Sequence, residues 1–559
     1  MKKVLSVLLI LIMCISVFAG CSDNPADTGS ETEAEVTQGT ETETETEAET
    51  ETEEETTEEI TEPVVTEDLE AMNAEPAAAF TVSKAFSSDM VIQRDEYIRI
   101  WGWAEESENG KRVEAEFSGL HGADVIEDGH WLITLGGTLP ANTEGQTLRV
   151  FAADGAEYTY ENVLVGDVYW VVGQSNIAYP VATIKSEPLA SEPGKNVEIN
   201  DDLLIRLYKA GMDDIMNMSS VVKGSNDVSE DVVNARGWRK PKSAANSFTA
   251  IGYFTAINMY NALDRSIPIG MIEFDAGGCA LHAFLPNEVR DELKVSKAKN
   301  GIYSAAGSNQ HESSFMYNNR MYSFQNMPIK GIIWYQGESD CGTQNKNNTQ
   351  YANRFTALIK YLRDKHDQIH HDYPVYIVEL PPIYMAFDYA RVRMNMGTIP
   401  MLLSNAHICS SADTWKDKTY GNNLHPYNKW EVSVRMAKII LANDYGIGDL
   451  DYEEGPIPVS AELSDDGLTA TVTFAHVGDG LQAYEGGEIK GLRVMCKGGG
   501  GSLEPETVSI TDKNKLTVTA QSRINSVSYN TAIEESFPES LTLCSSTNVP
   551  CASFRINFN

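Results

Sequence analysis

Basic residues are scarce in this chain, and over one long stretch they are absent. The 559 residues include 43 Lys and Arg against 81 Asp and Glu, which gives a formal net charge of −38. No Lys or Arg occurs between Lys3 and Lys84. Nucleic acid is bound mainly through basic side chains on phosphate, so this charge balance argues against a nucleic-acid partner.

Cysteines with the spacing of a metal site are also missing. Of the 8 cysteines, Cys14 and Cys21 lie near the N-terminus, and the other six are scattered from Cys279 onwards. Zinc sites place their ligands in short, regular spacings, so we expect no metal and no cofactor. Cys544 and Cys551 flank a short loop and could form a disulfide in an exported protein, or both could be buried free thiols.

The N-terminus has the pattern of an export signal. Lys2 and Lys3 precede an apolar run from Val4 to Phe18, which ends at Ala19, Gly20 and Cys21. A cysteine directly after Ala-Gly resembles the bacterial lipobox, although Phe18 stands where that pattern prefers Leu. The resemblance implies a lipoprotein signal peptide over residues 1–20 and a protein lipid-anchored through Cys21 at the bacterial cell surface; simple secretion is the alternative.

Residues 21–77 are dominated by Thr and Glu, as in TETETETEAETETEEETTEE. Such a segment has too little apolar surface to fold, so we predict a disordered linker. Like charges extend a chain of this kind, and a spacer is the expected role.

Two regions alternate apolar and polar residues as strands do. In residues 78–165 the turn signal Asp128-Gly129 is followed by Trp131, Ile133 and Leu135 on one face. In residues 446–559, alternating apolar positions begin at Leu468 and again at Leu516. We predict an N-terminal and a C-terminal β-domain.

Residues 166–445 alternate instead between apolar runs and helical periodicity. The apolar runs are VYWVV at 168–172, IPIGMIEF at 267–274, GIIWY at 331–335 and VYIVEL at 375–380, with helical patterns around residues 252–263, 350–364 and 428–442. This alternation predicts an α/β domain with a mostly parallel sheet covered by helices on both faces. Ligands bind such sheets beyond the carboxyl ends of the strands.

Three polar loops follow the predicted strands, and each has two interpretations. The loops are Gly173-Gln174-Ser175-Asn176, Asp275-Ala276-Gly277-Gly278 and Gln336-Gly337-Glu338-Ser339. Singly, they fit turn chemistry, and Ser175 or His425 could cap a helix. Together they supply a hydroxyl nucleophile, main-chain and amide donors for an oxyanion, and a histidine base, which are the parts that acyl transfer needs.

The same stretches resemble the sialate O-acetylesterase group of carbohydrate esterases, within the SGNH hydrolases. The resemblance extends over nearly all of residues 79–559 and is carried by FSSDMVIQRDEYIRIWGWA, GDVYWVVGQSN, IPIGMIEFDAGG, PIKGIIWYQGESD, HPYNKWEVSVRMA, GPIPVS and CASFRINF. It implies an SGNH-like three-layer αβα domain with a parallel sheet, flanked by the two β-domains. It also implies removal of acetyl groups from sialic acid or other acetylated glycans.

The resemblance also implies a role for each matching residue. Ser175 would be the nucleophile and His425 the general base. The oxyanion donors would be the N–H groups of Ser175 and Gly277 and the side-chain amide of Gln336. Glu338 would either orient the site or only hold its loop.

Two departures from the family pattern affect this assignment. Asn423 stands where the family usually has an Asp two residues before the histidine, and His282 stands where it often has Glu. The group that orients His425 could therefore be Asn423, a backbone carbonyl, or a relocated carboxylate among Asp413, Asp417 and Glu338. His282 could be a packed or solvated neighbour of the site, or a participant.

The missing Asp also keeps a second class of function open. The protein could be a catalytically impaired esterase fold that binds acetylated glycans through aromatic residues such as Trp238 or Trp415. Within the enzyme interpretation, acetylxylan esterase is the alternative to an esterase for sialic acid. The expected partners are an acetylated carbohydrate, and the membrane only through the lipid anchor.

Overall fold

The computed structural model of the protein describes residues 69–152, 155–187, 190–210, 227–295, 312–341, 350–382, 389–414, 424–498, 501–530 and 539–558. All of them belong to one compact unit, Val65–Asn559. The predicted signal peptide, Cys21 and the linker up to residue 68 lie outside the described residues. None of the described helices has the length and apolar character needed to cross a membrane.

The end of the predicted linker is part of the folded unit. Leu69–Asn73 form a short helix, α1, and the side chains of Ala71 and Ala77 are 1% exposed. The backbone then pairs with Arg112, whose N–H donates to Glu75 and whose carbonyl accepts from Ala77. The linker prediction is therefore wrong for residues 69–77, because their apolar side chains and main chain join the N-terminal β-domain.

The N-terminal region is built from eight strands. They are β1 Thr81–Val82, β2 Val91–Gln93, β3 Arg99–Trp103, β4 Arg112–Phe117, β5 Leu120–Val125, β6 His130–Thr134, β7 Asn142–Phe151 and β8 Glu157–Gly173. Asp128 and Gly129 both have positive φ, of 49° and 75°, as a tight hairpin turn requires. Trp131, Ile133 and Leu135 are buried on one face, which confirms the predicted alternation.

Strand β8 connects this region to the α/β domain without interruption. Its first half pairs antiparallel with β7, and its second half pairs parallel with the central strands. The predicted domain boundary between residues 165 and 166 lies inside this strand. One hydrophobic core extends from Val82 and Trp101 to Trp170 and Val172, so the two regions fold against each other as a continuous body.

The central sheet is parallel, in the order β9-β10-β8-β11-β12-β13. Its remaining strands are β9 Ile205–Lys209, β10 Ile269–Asp275, β11 Gly331–Tyr335, β12 Val375–Val378 and β13 Ala406–Cys409. The sequence predicted four of these strands and missed β9 and β13. The chain leaves β8 towards β9 and β10 on one side and later towards β11 on the other, so the order of the sheet reverses at β8.

Helices accompany the central sheet. They are α2 Ser175–Ala178, α3 Val181–Ser186, α4 Glu192–Lys195, α5 Pro241–Ala244, α6 Ala250–Ala262, α7 Asn287–Glu292, α8 Tyr351–His366, α9 Tyr389–Gly397, α10 Lys429–Tyr445 and α11 Leu450–Glu453. The three helices predicted from periodicity correspond to α6, α8 and α10. Single 3-10 turns occur at Glu106–Glu108, Ala245–Ser247, Leu281–Ala283, Tyr322–Phe324, Glu338–Asp340, Ile399–Met401 and Tyr484–Gly486, and a π turn at Tyr317–Met321.

The C-terminal region forms small antiparallel sheets with a core of their own. The strands are β14 Ile457–Leu463, β15 Thr469–Ala475, β16 Gln482–Ala483, β17 Leu492–Cys496, β18 Ser502–Leu503, β19 Thr507–Asp512, β20 Lys515–Thr519, β21 Ile524–Tyr529, β22 Leu543–Cys544 and β23 Phe554–Asn557. Buried Glu379, just after β12, accepts a hydrogen bond from the Ser553 N–H at 2.8 Å and so ties this region to the α/β domain. Cys544 and Cys551 are buried free thiols, as are the other four cysteines in the described part of the chain.

Candidate active site

Ser175 follows the central strand of the sheet. Gly173, the last residue of β8, lies beside Asp275 of β10 and Tyr335 of β11 in the sheet register. A Cβ on Gly173 would lie 2.1 Å from the carbonyl oxygen of Tyr335, so only glycine fits this position. The chain then turns, and Ser175 begins α2 at the point where the strand order reverses, which is where α/β sheets of this type bind ligands.

His425 is brought to this serine from the far end of the chain. Its Nε2 lies 2.7 Å from the Ser175 Oγ, although 250 residues separate the two. The imidazole packs against the ring of Tyr179, with a centroid separation of 5.3 Å. Both Ser175 and His425 are partly exposed. The pair predicted from the sequence therefore has the geometry of a hydroxyl and the base that would take its proton.

The protonation state of His425 follows from its surroundings. Burial lowers the pKa of His425 to about 4, and the positive charge of Lys429 acts in the same direction. The imidazole is therefore uncharged at neutral pH. An uncharged imidazole can accept the proton of Ser175.

The glycine loop after β10 lies against the serine turn. The N–H of Ala276 donates to the Gly173 carbonyl at 3.2 Å, and Gly278 has a φ of 73°, which favours glycine. Gly277 is partly exposed beside this turn. The assignment of the main-chain N–H groups of Ser175 and Gly277 as oxyanion donors stays a prediction.

Gln336 has a different place from the one predicted. Its side chain is 0% exposed, and its Nε2 lies 2.7 Å from Asp340 Oδ2 and 3.0 Å from the Cys279 carbonyl, with Gln174 Oε1 at 3.2 Å. Its Oε1 accepts a hydrogen bond from the Tyr351 hydroxyl at 3.0 Å. The two amide hydrogens are thus used inside the protein. The prediction of Gln336 as an oxyanion donor is corrected: in this structure Gln336 joins the three loops to one another.

Of the residues that could orient His425, only some are among the described residues. Asn422, Asn423 and Asp417 lie outside the described residues, so the role of Asn423 stays a prediction. Asp413 pairs through both carboxylate oxygens with Arg435, at 2.8 and 2.7 Å. Asp413 is therefore held by Arg435 of α10, and its role as the relocated carboxylate also stays a prediction.

Glu338 lies deep in the site rather than at its surface. It is 5% exposed and accepts a hydrogen bond from the side-chain amide of Asn176. Burial raises the pKa of Glu338 to about 7, while the Asn176 hydrogen bond and the charge of Lys429 act in the opposite direction. Glu338 is thus connected to the Ser175-His425 pair through Asn176 and Lys429.

Sequence reasoning missed the importance of Asn176 and Lys429. Asn176 ends the motif GQSN and Lys429 ends the motif HPYNK, but neither motif predicted a function for these two residues. Lys429 is 1% exposed at the first turn of α10, where the helix dipole disfavours a cation. A lysine between Tyr427 and Trp430, at a helix start, is a signal in the sequence that could have indicated this role.

Two other residues singled out from the sequence occupy packed positions. His282 is 7% exposed, and its carbonyl accepts a hydrogen bond from the Ser314 N–H. Trp238 is 4% exposed, donates its indole N–H to the Ala85 carbonyl and packs edge-on against Tyr208. Trp238 is therefore a core residue, and its prediction as a glycan platform is wrong; Trp415 lies outside the described residues.

Within the described ranges, no group of three or more His, Cys, Asp or Glu side chains is arranged to hold a metal ion.

Comparison with known proteins relates part of this chain to a known family. Residues 227–438 match the family model of carbohydrate esterases described as sialic acid-specific acetylesterase. This range includes Gly277, Gln336, Glu338 and His425 but begins after Ser175. Human sialate O-acetylesterase is 26% identical over 324 residues, which cover 54% of this chain and 58% of the human protein. The rat enzyme is 25% identical over 391 residues, which cover 60% of this chain and 66% of the rat protein.

A solved structure extends the comparison to most of the fold. A carbohydrate acetylesterase from Xanthomonas citri superimposes with a TM-score of 0.68 at 22% identity, covering 86% of this chain and 100% of its own. The fold is that of the SGNH-type carbohydrate esterases, with β-domains added on both sides. In sequence, residues 227–438 are similar to the sialic acid-specific acetylesterase family, and 54% of the chain is similar to human sialate O-acetylesterase.

Proposed function

We propose that this protein is a carbohydrate O-acetylesterase that uses Ser175 as nucleophile and His425 as general base. The observation that carries the proposal is the 2.7 Å contact between the Ser175 Oγ and the His425 Nε2 at the carboxyl end of the central strand. The names of the related proteins and of the family model support acetyl esters of sialic acid or of other glycans as the substrate class. The chain matches only 58% of the human relative, so the activity rests on the site in this chain.

The proposed reaction uses the two side chains in turn. The Ser175 oxygen bonds to the acetyl carbonyl carbon while His425 Nε2 takes the hydroxyl proton, and the main-chain donors stabilise the oxyanion. The C–O bond to the sugar then breaks, and His425 returns the proton to the sugar hydroxyl. A water molecule, deprotonated by His425, attacks acetyl-Ser175, which releases acetate and restores the serine.

The test uses protein lacking residues 1–68 and a small activated acetyl ester. Wild-type protein should release acetate, and Ser175→Ala should lower the rate by a factor of about 10³ or more, with an unchanged thermal transition. Ser323→Ala, at a buried serine outside the site, serves as the control. Equal activity of Ser175→Ala and wild type would overturn the assignment of the nucleophile.

A panel of acetylated sialic acids and acetylated xylan would then identify the substrate class. Release of acetate from the sialic acid esters alone would support the family name, and release from xylan alone would favour the acetylxylan alternative. Binding of these glycans without turnover, by a folded wild-type protein, would favour the impaired, glycan-binding interpretation.

We also propose that the protein is exported and anchored to the membrane through a lipidated Cys21. The support is the charged and apolar N-terminal pattern that ends in Ala-Gly-Cys. Full-length protein should be retained in the membrane fraction, and Cys21→Ser should release it to the medium or leave it unprocessed. Wild-type protein recovered entirely from the medium, with a mature N-terminus at another residue, would contradict the anchor.

A further inference from the structure

A buried polar cluster lies directly behind the Ser175-His425 pair. It consists of Asn176, Glu338 and Lys429, which are 0%, 5% and 1% exposed. Both polar atoms of the Asn176 side chain make hydrogen bonds. Its Nδ2 donates to Glu338 Oε1, and its Oδ1 accepts from Lys429 Nζ. Polar side chains this deeply buried are costly unless they are paired, so the three residues form one interdependent unit.

The same asparagine connects the two reacting residues through the backbone. Asn176 follows Ser175 directly, and its Nδ2 also donates to the carbonyl of Leu424 at 3.1 Å. Leu424 is the residue before His425. One side-chain amide therefore links the serine turn to the histidine loop, across 248 residues of sequence.

Lys429 holds its charge in an unusual environment. Its Nζ lies 5.0 Å from the ring centroid of Tyr335 and 5.7 Å from that of Tyr179, the tyrosine that also packs on His425. Burial lowers the pKa of Lys429, and the negative charge of Glu338 opposes this effect. The ammonium thus depends on two aromatic faces and one carboxylate for its stabilisation.

The charged and titratable groups around this cluster come from several elements. They are Tyr179 after α2, Tyr335 at the end of β11, Glu338 and Asp340 in the loop that follows, Tyr389 in α9, and His425, Tyr427 and Lys429 at the start of α10. Among them, Lys429 is the group whose positive charge acts on the His425 imidazole.

We propose that Asn176, Glu338 and Lys429 act as a positioning unit for the esterase reaction. Asn176 fixes the distance between Ser175 and His425. The Lys429 ammonium, paired with Glu338, adds to the effect of burial in keeping the imidazole uncharged until it takes the serine proton. The inference rests on the proposed function. It explains how a chain with Asn in the usual Asp position retains a Ser-His contact of 2.7 Å.

The first test is the pH dependence of kcat/KM, because its acidic limb reports the base in the free enzyme. In wild type the rate should rise with pH through about 4, the pKa of His425. Lys429→Met removes the neighbouring positive charge, so the acidic limb should move up by roughly 0.5 to 1 pH unit. The control is Lys438→Met, on the outer face of the same helix, where the lysine is 54% exposed and pairs with Glu453; its acidic limb should stay at the wild-type pH.

The second test separates geometry from charge. Asn176→Ala removes the link to Leu424, and turnover should fall by about 10- to 100-fold with little change in KM, because the Asn176 side chain is 0% exposed. Glu338→Gln keeps an oxygen that can accept from Asn176 but removes the charge that balances Lys429. It should keep more turnover than Glu338→Ala. Its acidic limb should stay at the wild-type pH, because a carboxyl group with a pKa of about 7 is already uncharged near pH 4.

The failure of this inference can be told apart from the failure of the proposed function. A fluorophosphonate that reacts with an activated serine should label wild type, and folding is checked by the thermal transition. Folded wild type that neither releases acetate nor takes the label would refute the esterase itself. An active wild type whose acidic limb is the same in Lys429→Met and Lys438→Met, or full turnover of Asn176→Ala, would overturn the positioning unit alone. If Lys429→Met does not fold, the turnover of Asn176→Ala and of the two Glu338 variants decides the question.

Discussion

At the scale of single residues, substitution of Gln336 separates two interpretations of this side chain: an oxyanion donor and a structural link between loops. Gln336→Ala would leave the Asp340 carboxylate and the Cys279 carbonyl, both buried, without their amide partner. Burial already raises the pKa of Asp340, and the Gln336 hydrogen bond opposes that shift. We therefore expect Gln336→Ala to lower the free energy of unfolding by about 2 to 4 kcal/mol, together with activity, because a buried acceptor that loses its donor is costly.

Denaturant unfolding and acetate release, measured on the same samples, check this prediction. Gln350→Ala is the matched control, since Gln350 is exposed and its side chain accepts a hydrogen bond from Arg354 at 3.1 Å. A Gln336→Ala protein that unfolds like wild type but loses turnover would return Gln336 to the oxyanion role.

The residue scale also shows which parts of the site the sequence could predict. Ser175 and His425 follow from motif order, because a hydroxyl after an apolar strand and a late histidine are the parts of one known reaction. The cluster behind them could not be predicted, because Asn176 meets Glu338 and Lys429 only after the sheet has brought together segments 162 and 253 residues apart. No local pattern encodes such a contact.

At the scale of secondary-structure elements, long apolar runs predicted their strands well. GIIWY became β11 with the predicted bounds, and the alternation after Asp128-Gly129 became β6. Strands β9 and β13 were missed because IRLYK and AHIC contain Arg, Lys or His and are short. Tertiary packing overrides their weak local preference: β9 is covered by neighbouring elements, and Arg206 inside it donates to the carbonyls of Leu203 and Ile205.

The predicted boundary between the N-terminal β-domain and the α/β domain depended on the pattern of one strand, β8. The sequence changes its pattern near residue 165, from alternating to continuously apolar. That change marks where β8 stops having one face towards solvent and becomes buried on both faces, and the strand itself continues. A change of periodicity along one strand thus resembles a domain boundary in the sequence, although the core is continuous across it.

At the scale of the whole molecule, the N-terminal β-domain is fastened to the α/β domain at the end of α8. Arg99 of β3 donates to the carbonyl of His366, and Glu96 accepts from the N–H groups of Ile369 and His370 at 2.6 and 2.8 Å. These contacts hold the last residue of α8 beneath the neighbouring sheet. They also place a positive guanidinium near a buried histidine.

His366 makes this junction sensitive to acid. Its side chain is 0% exposed, packs edge-on against Trp170 and stacks on Tyr373, and neither ring nitrogen has a hydrogen-bond partner among the described residues. Burial lowers the pKa of His366 to about 3, and the charge of Arg99 acts in the same direction. In the unfolded chain the pKa returns to about 6.5, so between pH 6.5 and 3 the unfolded state binds the extra proton and stability falls as pH falls.

We therefore expect His366→Phe, which keeps an aromatic ring without a titrating nitrogen, to remove this acid-dependent loss. Relative to wild type, the free energy of unfolding of the variant should be nearly constant above pH 7 and should rise by about 3 kcal/mol at pH 4.5, since each pH unit below about 6.5 costs the wild-type protein about 1.4 kcal/mol.

The exposed His371 provides the control, since His371→Phe changes the same group where burial is absent. Denaturant unfolding at pH 4.5, 5.5 and 7.5 measures the difference. A His366→Phe protein whose stability relative to wild type does not change with pH would mean that His366 is protonated in the folded state, in contact with a group that takes its charge.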